Sequence, residues 1–310
     1  MKKFLFKYVL NFANLLFVLI LLCFLLPSKY ALEMRIGLKG PAVFLTVLAL
    51  IEIRFLFSLR RKDKAQSSRD ITTVVYAFLF IWELFVSRLN LLPYVFIPAP
   101  ENVFHVFVSD AQNIFQGFLS SMFLILVGLL LSIVSAVILG TLVGWNPRLT
   151  KAVYPVVKAV STVPALIYTP YVVLIMPTFR VASLCVIFLS GFWGSVMDSI
   201  NNTAFVEKKI VNAAKVLNLS TPTILFRIII PFNLPRIINA LPIRLANALM
   251  TLTVAEMLGA DCGMGYYVRY ALNFANYTKA IAGIIFIGFT VTVLNSLIDV
   301  VKRRLIKWSY

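Results

Sequence analysis

The sequence predicts an all-α integral membrane protein with about eight transmembrane helices, and three observations carry that prediction. Hydrophobic residues make up 61% of the 310 residues and charged residues only 13%, against roughly 45–50% and 25% in soluble domains. Mean hydropathy is +0.93. Several uninterrupted apolar runs reach the ~20 residues that cross about 30 Å of hydrocarbon as helix. Such runs exclude a porin-like barrel, whose strands alternate in polarity at every second residue.

In chain order the candidate spans are Phe4–Leu26, Pro41–Leu59, Ile71–Val86, Phe118–Val143, Ala152–Ile175, Val181–Met197, Ile237–Leu258 and Ala280–Val301. No signal-peptide cleavage pattern follows the first, which reads as a retained span. The second carries Glu52 and Arg54; a two-residue offset puts them on different helix faces, and Arg54 can snorkel to the nearby interface, so a structural reading is favoured. The polar segment Arg60–Asp70 separates this N-terminal hairpin (1–59) from the remaining spans (71–310). Glu83 and Arg88 in the third span are a candidate structural pair, but a five-residue separation is poorly suited to one α-helical face.

Gly140 and Gly144 form a GxxxG pair in the fourth span that allows close helix approach. Pro155, Pro164 and Pro170 punctuate the fifth, with kinks expected at Pro164 and Pro170. Polar side chains within spans are expensive and tend to face a bundle interior. This makes Ser161 and Thr162 in the fifth span, and Asn247, Thr251, Thr253 and Glu256 in the seventh, candidates for a translocation path. The bland alternative for each hydroxyl is a back-bond to its own helix; for Glu256 it is a structural anchor to a basic partner.

Lys and Arg set the orientation. Lys2, Lys3, the run Arg60 to Arg69, Arg148, Lys151, Lys208, Lys209, Lys215, Arg227, Arg236 and the tail from Lys302 all fall on one side of an eight-span arrangement. By the positive-inside rule that side is the cytoplasm, and both termini join it. The same rule explains the net charge of +17 without a nucleic-acid partner, since no basic patch sits on a soluble domain. Cys23, Cys185 and Cys262 share no ligand or redox spacing, and the single histidine, His105, cannot build a His-based metal site alone. No cofactor is expected.

The segment between the sixth and seventh spans, Glu207–Pro231, has structure of its own. Ile210, Ala213, Ala214 and Leu217 recur at helical spacing, with Lys208, Lys209, Asn212 and Lys215 opposite. Asn218 suits a left-handed helix end. Ser220 or Thr221 then caps a second helix with Pro222 at its first position, and Pro231 is expected to stop it. An amphipathic hairpin lying on lipid and a protein-docking elbow both fit this pattern.

At this point the residues resemble the EAA loop of ABC importer permeases: Glu-Ala-Ala, three residues, Gly, nine residues, then Ile-x-Leu-Pro. Asn212-Ala213-Ala214, Asn218 and Ile228-Ile229-Ile230-Pro231 fall at those spacings. Asn212 replaces the family's Glu and Asn218 its Gly. The likeness covers roughly 71–310 and is similar to the nitrate/sulfonate/taurine/bicarbonate group, through Ile97-Pro98-Ala99-Pro100, Ser121 to Gly144, Val163-Pro164-Ala165, Ala255-Glu256-Met257, Gly263-Met264-Gly265-Tyr266 and the basic stretch near Trp308.

The resemblance implies a six-helix type I importer permease core in a bacterial inner membrane, here preceded by the extra two-helix hairpin. It further implies pairing with a second permease copy as a homodimer, two copies of a cytoplasmic ABC ATPase, and an external substrate-binding protein that delivers a sulfonate, nitrate, taurine, bicarbonate or vitamin-precursor solute. Asn212, Ala213, Ala214, Asn218, Ile228, Ile230 and Pro231 are then the ATPase-coupling residues. The chain has no P-loop of its own, so the chain is expected to be non-catalytic. An ion-gradient-driven secondary transporter is the alternative, but no internal repeat supports it. A membrane-embedded enzyme lacks its cluster of His, Asp or Cys.

Overall fold

The fold comes from a computed structural model, which describes residues 11–26, 39–59, 65–93 and 95–305. Lys2, Lys3, Lys29, Arg35, the run Arg60 to Lys64, Lys307 and Trp308 lie outside the described residues, as does the start of the first expected span. The described residues form helices, divided between two compact units.

The first unit takes Met1–Ile114 and Tyr270–Ala282. Its helices are α1 (Phe12–Cys23), α2 (Lys39–Leu59), α3 (Ala65–Trp82) and α4 (Pro100–Ser109). Asn11 starts α1 by accepting a 2.9 Å hydrogen bond from the Asn14 amide, an ordinary N-cap. Ala13, Leu16 and Ile20 then recur every three or four residues and bury against Phe44, Leu48, Phe55, Tyr76 and Leu79. Helix α3 begins at Ala65 rather than Ile71, so the end of the polar linker is already helical.

Helix α3 continues as a π-helical turn, Glu83–Arg88. That turn answers the spacing problem of the Glu83–Arg88 pair: with bonds running from i to i+5, as Leu89 N donates to the Leu84 carbonyl at 2.8 Å, residues five apart come onto one face. Arg88 Nη2 and Nε donate to Glu83 Oε1 at 2.7 and 2.9 Å, and Nη1 donates to the Leu26 carbonyl beyond α1 at 2.8 Å. The Ser87 hydroxyl lies between Glu83 and Glu101 of α4, at 3.1 and 3.2 Å. The π turn therefore joins α1, α3 and α4.

The second unit takes Phe115–Arg269 and Gly283–Tyr310. It holds most of α5 (Ala111–Trp145), then α6 (Pro147–Ser161), α7 (Ala165–Ile175), α8 (Phe179–Ala204), α9 (Lys208–Val216), α10 (Thr221–Ile224), α11 (Ile230–Gly259), and parts of α12 (Met264–Asn273) and α13 (Tyr277–Leu305). Helices α5 and α8 approach closely along small residues. A Cβ on Gly140 would lie 2.5 Å from Ser199 Cβ and 2.8 Å from the Val196 carbonyl oxygen, and one on Gly144 would lie 2.9 Å from Thr203 Cβ. The GxxxG pair thus sits where backbones touch.

Among the described residues, Gly40–Leu59, Ala65–Arg88, Ala111–Trp145, Phe179–Ala204, Thr221–Gly259 and Tyr277–Arg304 are long and apolar enough to cross a membrane. The fifth expected span, Ala152–Ile175, is not one helix. It is α6 and α7, bent by 88° at their break. Pro164 causes the break: it has no amide to donate and drives the residue before it out of the helical region, and it takes the extended N-cap position of α7. Pro170 sits inside α7. Helix α1, at 12 residues, falls short of a span by itself.

Candidate functional site

The elbow between α8 and α11 is built from the inside out. Val206, Ala214, Ile224, Leu225 and Ile229 form its small core, with Trp145, Ile210, Val211, Ile228 and Phe232 packed around them. At the end of α9, Asn218 takes φ 51°. Its amide donates to the Lys215 carbonyl at 2.9 Å, and the Leu219 amide donates to the Ala214 carbonyl at 3.2 Å. These two bonds are a Schellman closure, so an asparagine does here what a glycine would do. Ser220 takes the N-cap of α10, but its hydroxyl pairs with the Thr223 hydroxyl at 2.8 Å instead of an amide. Pro222 follows in the second helical position, not the first.

Two expectations for this loop need correction. Pro231 does not stop the second limb. A π turn at Leu225–Ile229 precedes it, and the chain runs on as one helical segment from Thr221 to Gly259. The wider turn removes the clash between the proline ring and the preceding carbonyls, so the missing amide is absorbed without a break. The apolar residues of α9 also do not share one face. Ile210, Val211 and Ala214 turn inward, whereas Ala213 is exposed together with Val216 at 81% and Leu217 at 71%. Asn212, Lys208, Lys209 and Lys215 are exposed around them. Spacing alone groups Leu217 with Ile210 and Ala214; the structure exposes it because it is the C-cap residue, past the last turn that packs on the elbow core.

The path candidates fall into two groups. The Thr251 hydroxyl donates to the Asn247 carbonyl at 2.7 Å, Thr253 to Leu249 at 2.8 Å, Ser161 to Lys158 at 3.0 Å and Thr162 to Ala159 at 2.7 Å. Each satisfies its own helix. The side chain of Asn247 lies on an exposed face of α11.

Glu256 stands apart, at 1% exposure. Its Oε1 accepts from Ser121 Oγ at 2.6 Å and its Oε2 from the Gly265 amide at 2.7 Å, while Ser121 Oγ accepts from the Met264 amide at 2.9 Å. Carboxylate and hydroxyl together hold the first amides of α12, which no helical carbonyl can satisfy. These partners are a hydroxyl and an amide, not the basic side chain expected. Gly263, at φ +131°, lets the loop pass: a Cβ there would run into the Glu256 carboxyl group. Arg269 completes the junction from the other side, donating to the Met257 and Ala260 carbonyls at 3.2 and 2.7 Å at the end of α11.

A charge pair that sequence reasoning missed joins α8 to α11. Arg244 Nη2 donates to Asp198 Oδ2 at 2.9 Å. The two residues are far apart in sequence, so only the packing of α8 on α11 reveals them. Among the described residues no group of three or more His, Cys, Asp and Glu side chains gathers as a metal site.

With this geometry in place, the sequence comparisons decide the family. Binding-protein-dependent transport system inner membrane components match residues 128–308, more than half of the chain. This chain belongs to that family. A probable ABC transporter permease of Brucella abortus (strain 2308) is 28% identical over 185 residues, covering 60% of this chain and 74% of the relative. The nitrate import permease NrtB of Leptolyngbya laminosa is 26% identical over 180 residues, covering 58% and 64%. The taurine transport system permease TauC of Escherichia coli K12 is 26% identical over 263 residues, covering 82% and 95%. This permease is therefore a multi-pass, non-catalytic inner-membrane subunit. A binding-protein-dependent permease implies an ATPase and a binding protein as partners.

Proposed function

We propose that this permease forms the translocation path of an ATP-driven importer for a small anion of the nitrate or sulfonate type, and that it is coupled to its ATPase through α9. The observation that carries the coupling is the exposed stripe of Ala213, Val216 and Leu217 on that helix. Apolar residues three and four apart, ringed by lysines, suit the groove of a protein partner. The anion class is supported by the relative named for nitrate, and the sulfonate type by the sulfonate group of taurine, for which another relative is named.

In this reading two permease copies pair as a homodimer and each elbow, with Asn212, Ala213, Ala214, Asn218, Ile228, Ile230 and Pro231, meets one of two ATPase subunits. The six-helix importer core of 71–310 follows the hairpin of 1–59. The bent α6–α7 pair counts as one of eight spans, and both termini lie in the cytoplasm.

The test uses surface positions, because Ala214 is buried and a charge there would disrupt the elbow itself. Ala213→Arg with Leu217→Glu should abolish co-purification of the cognate ATPase and ATP-dependent uptake, while leaving membrane insertion unchanged. Wild-type capture of the ATPase by this variant would remove α9 from the coupling role. Uptake that persists after ATP depletion with the ion gradient intact would point to a secondary transporter instead.

A further inference from the structure

We infer that Arg244 is an anion-contacting residue on the cytoplasmic half of the path, and that Asp198 is its internal competitor. This rests on the anion-import reading above. Both residues belong to the second unit and both lie within helices long enough to span. The Arg244 side chain is only 10% exposed, and its Nη1 makes no hydrogen bond among the described residues. A guanidinium fork is built to take two acceptors side by side, and here one tine holds Asp198 while the other is unused.

Asp198, in contrast, is 48% exposed. One turn away on the same face of α8, Gly194 looks onto open space, where a Cβ would meet nothing within 4 Å. A charged side chain on a spanning helix is costly against lipid, which assigns this face to a polar path. The stripe continues toward the helix ends, where Arg236 Nη1 comes within 3.5 Å of Asn202 Oδ1. Asn247 extends it the other way on α11.

The pair also sits at a telling place in the chain. Helix α8 leads directly into the elbow, and the elbow leads directly into α11. Asp198 and Arg244 therefore clasp the two helices that the elbow joins. A planar or tetrahedral oxyanion offers Arg244 the same two oxygens that a carboxylate does. When the helices part, the anion takes the fork; when they close, Asp198 displaces it. The carboxylate is a built-in stand-in for the solute, and it keeps the site from holding the anion too tightly to release.

The experiment is uptake into proteoliposomes holding the permease, its ATPase and its binding protein, with labelled nitrate and labelled methanesulfonate as anionic probes. Arg244→Gln should cut anion uptake at least about tenfold, a loss of the size expected when a charge-assisted contact goes, while the complex still assembles. Asp198→Asn keeps the shape and should do the opposite to affinity: half-saturation falls about threefold or more and release slows. A pair that is merely structural would give assembly losses in both variants and no fall in half-saturation, and that result overturns the proposal. Unchanged uptake in both variants, with wild type moving the anions, also overturns it and leaves the anion reading standing. A wild-type complex that moves only uncharged solutes removes the anion reading and this site with it.

Discussion

A carboxyl group buried in an apolar span has to be met by donors, and Glu256 is met by the Ser121 hydroxyl and the Gly265 amide. Glu256→Gln replaces one acceptor with a donor, so with its oxygen kept on the Gly265 amide the Ser121 proton loses its acceptor. The expected cost is about 1–3 kcal/mol, read as a lower unfolding midpoint of the purified protein. Full stability combined with lost transport would mean that the carboxylate meets solute rather than α12. The sequence made Glu256 visible because acids are rare in spans, but its partners come from α5 and from beyond the end of α11. No local spacing links those positions. The same holds for Asp198 and Arg244: Arg244 is a charge inside the seventh expected span and Asp198 one just past the sixth, but their pairing shows only when α8 and α11 are side by side.

At the scale of elements, what was legible depended on period and punctuation. Most spans were readable from hydropathy, and the Asn218 helix end from the tolerance of asparagine for left-handed backbone. The two π turns were not readable, because one extra residue in a turn leaves no mark in an apolar run. They account for the Glu83–Arg88 pairing and for the continuation through Pro231. The contact of α5 with α8 offers a clean comparison. Gly140→Ala places a methyl group against the Val196 carbonyl and Ser199, and overpacking of this kind costs about 1–3 kcal/mol. Gly194→Ala meets open space and should stabilise α8 by roughly 0.5–1 kcal/mol through helix propensity. Unfolding midpoints of the two variants moving in the same direction would contradict this packing.

For the whole molecule, the eight-span arrangement is testable with the protein's own thiols. Cys262 is exposed in the turn between α11 and α12, whereas Cys23 is buried and Cys185 is partly so. A membrane-impermeant maleimide should label Cys262 in intact spheroplasts. A Leu217→Cys variant in a Cys262→Ser background should be labelled only after the membrane is opened. Labelling of both from outside would break the span count. The orientation proposed from the crowding of lysine and arginine on one side is what this labelling tests; the sequence could not show that the fifth expected span is two short helices at 88°, since a proline announces a kink but not its angle.

The unbroken segment from Thr221 to Gly259 has a mechanical meaning. Thirty-nine residues at 1.5 Å each make a shaft about 58 Å long. Its near end is the second limb of the elbow and its far end is tied down by the Glu256 and Arg269 caps. Pro235 and Pro242 lie between, each removing one backbone bond. In the proposed orientation, a push on the elbow end would meet an anchored far end and two soft joints, and the shaft would flex near Arg244.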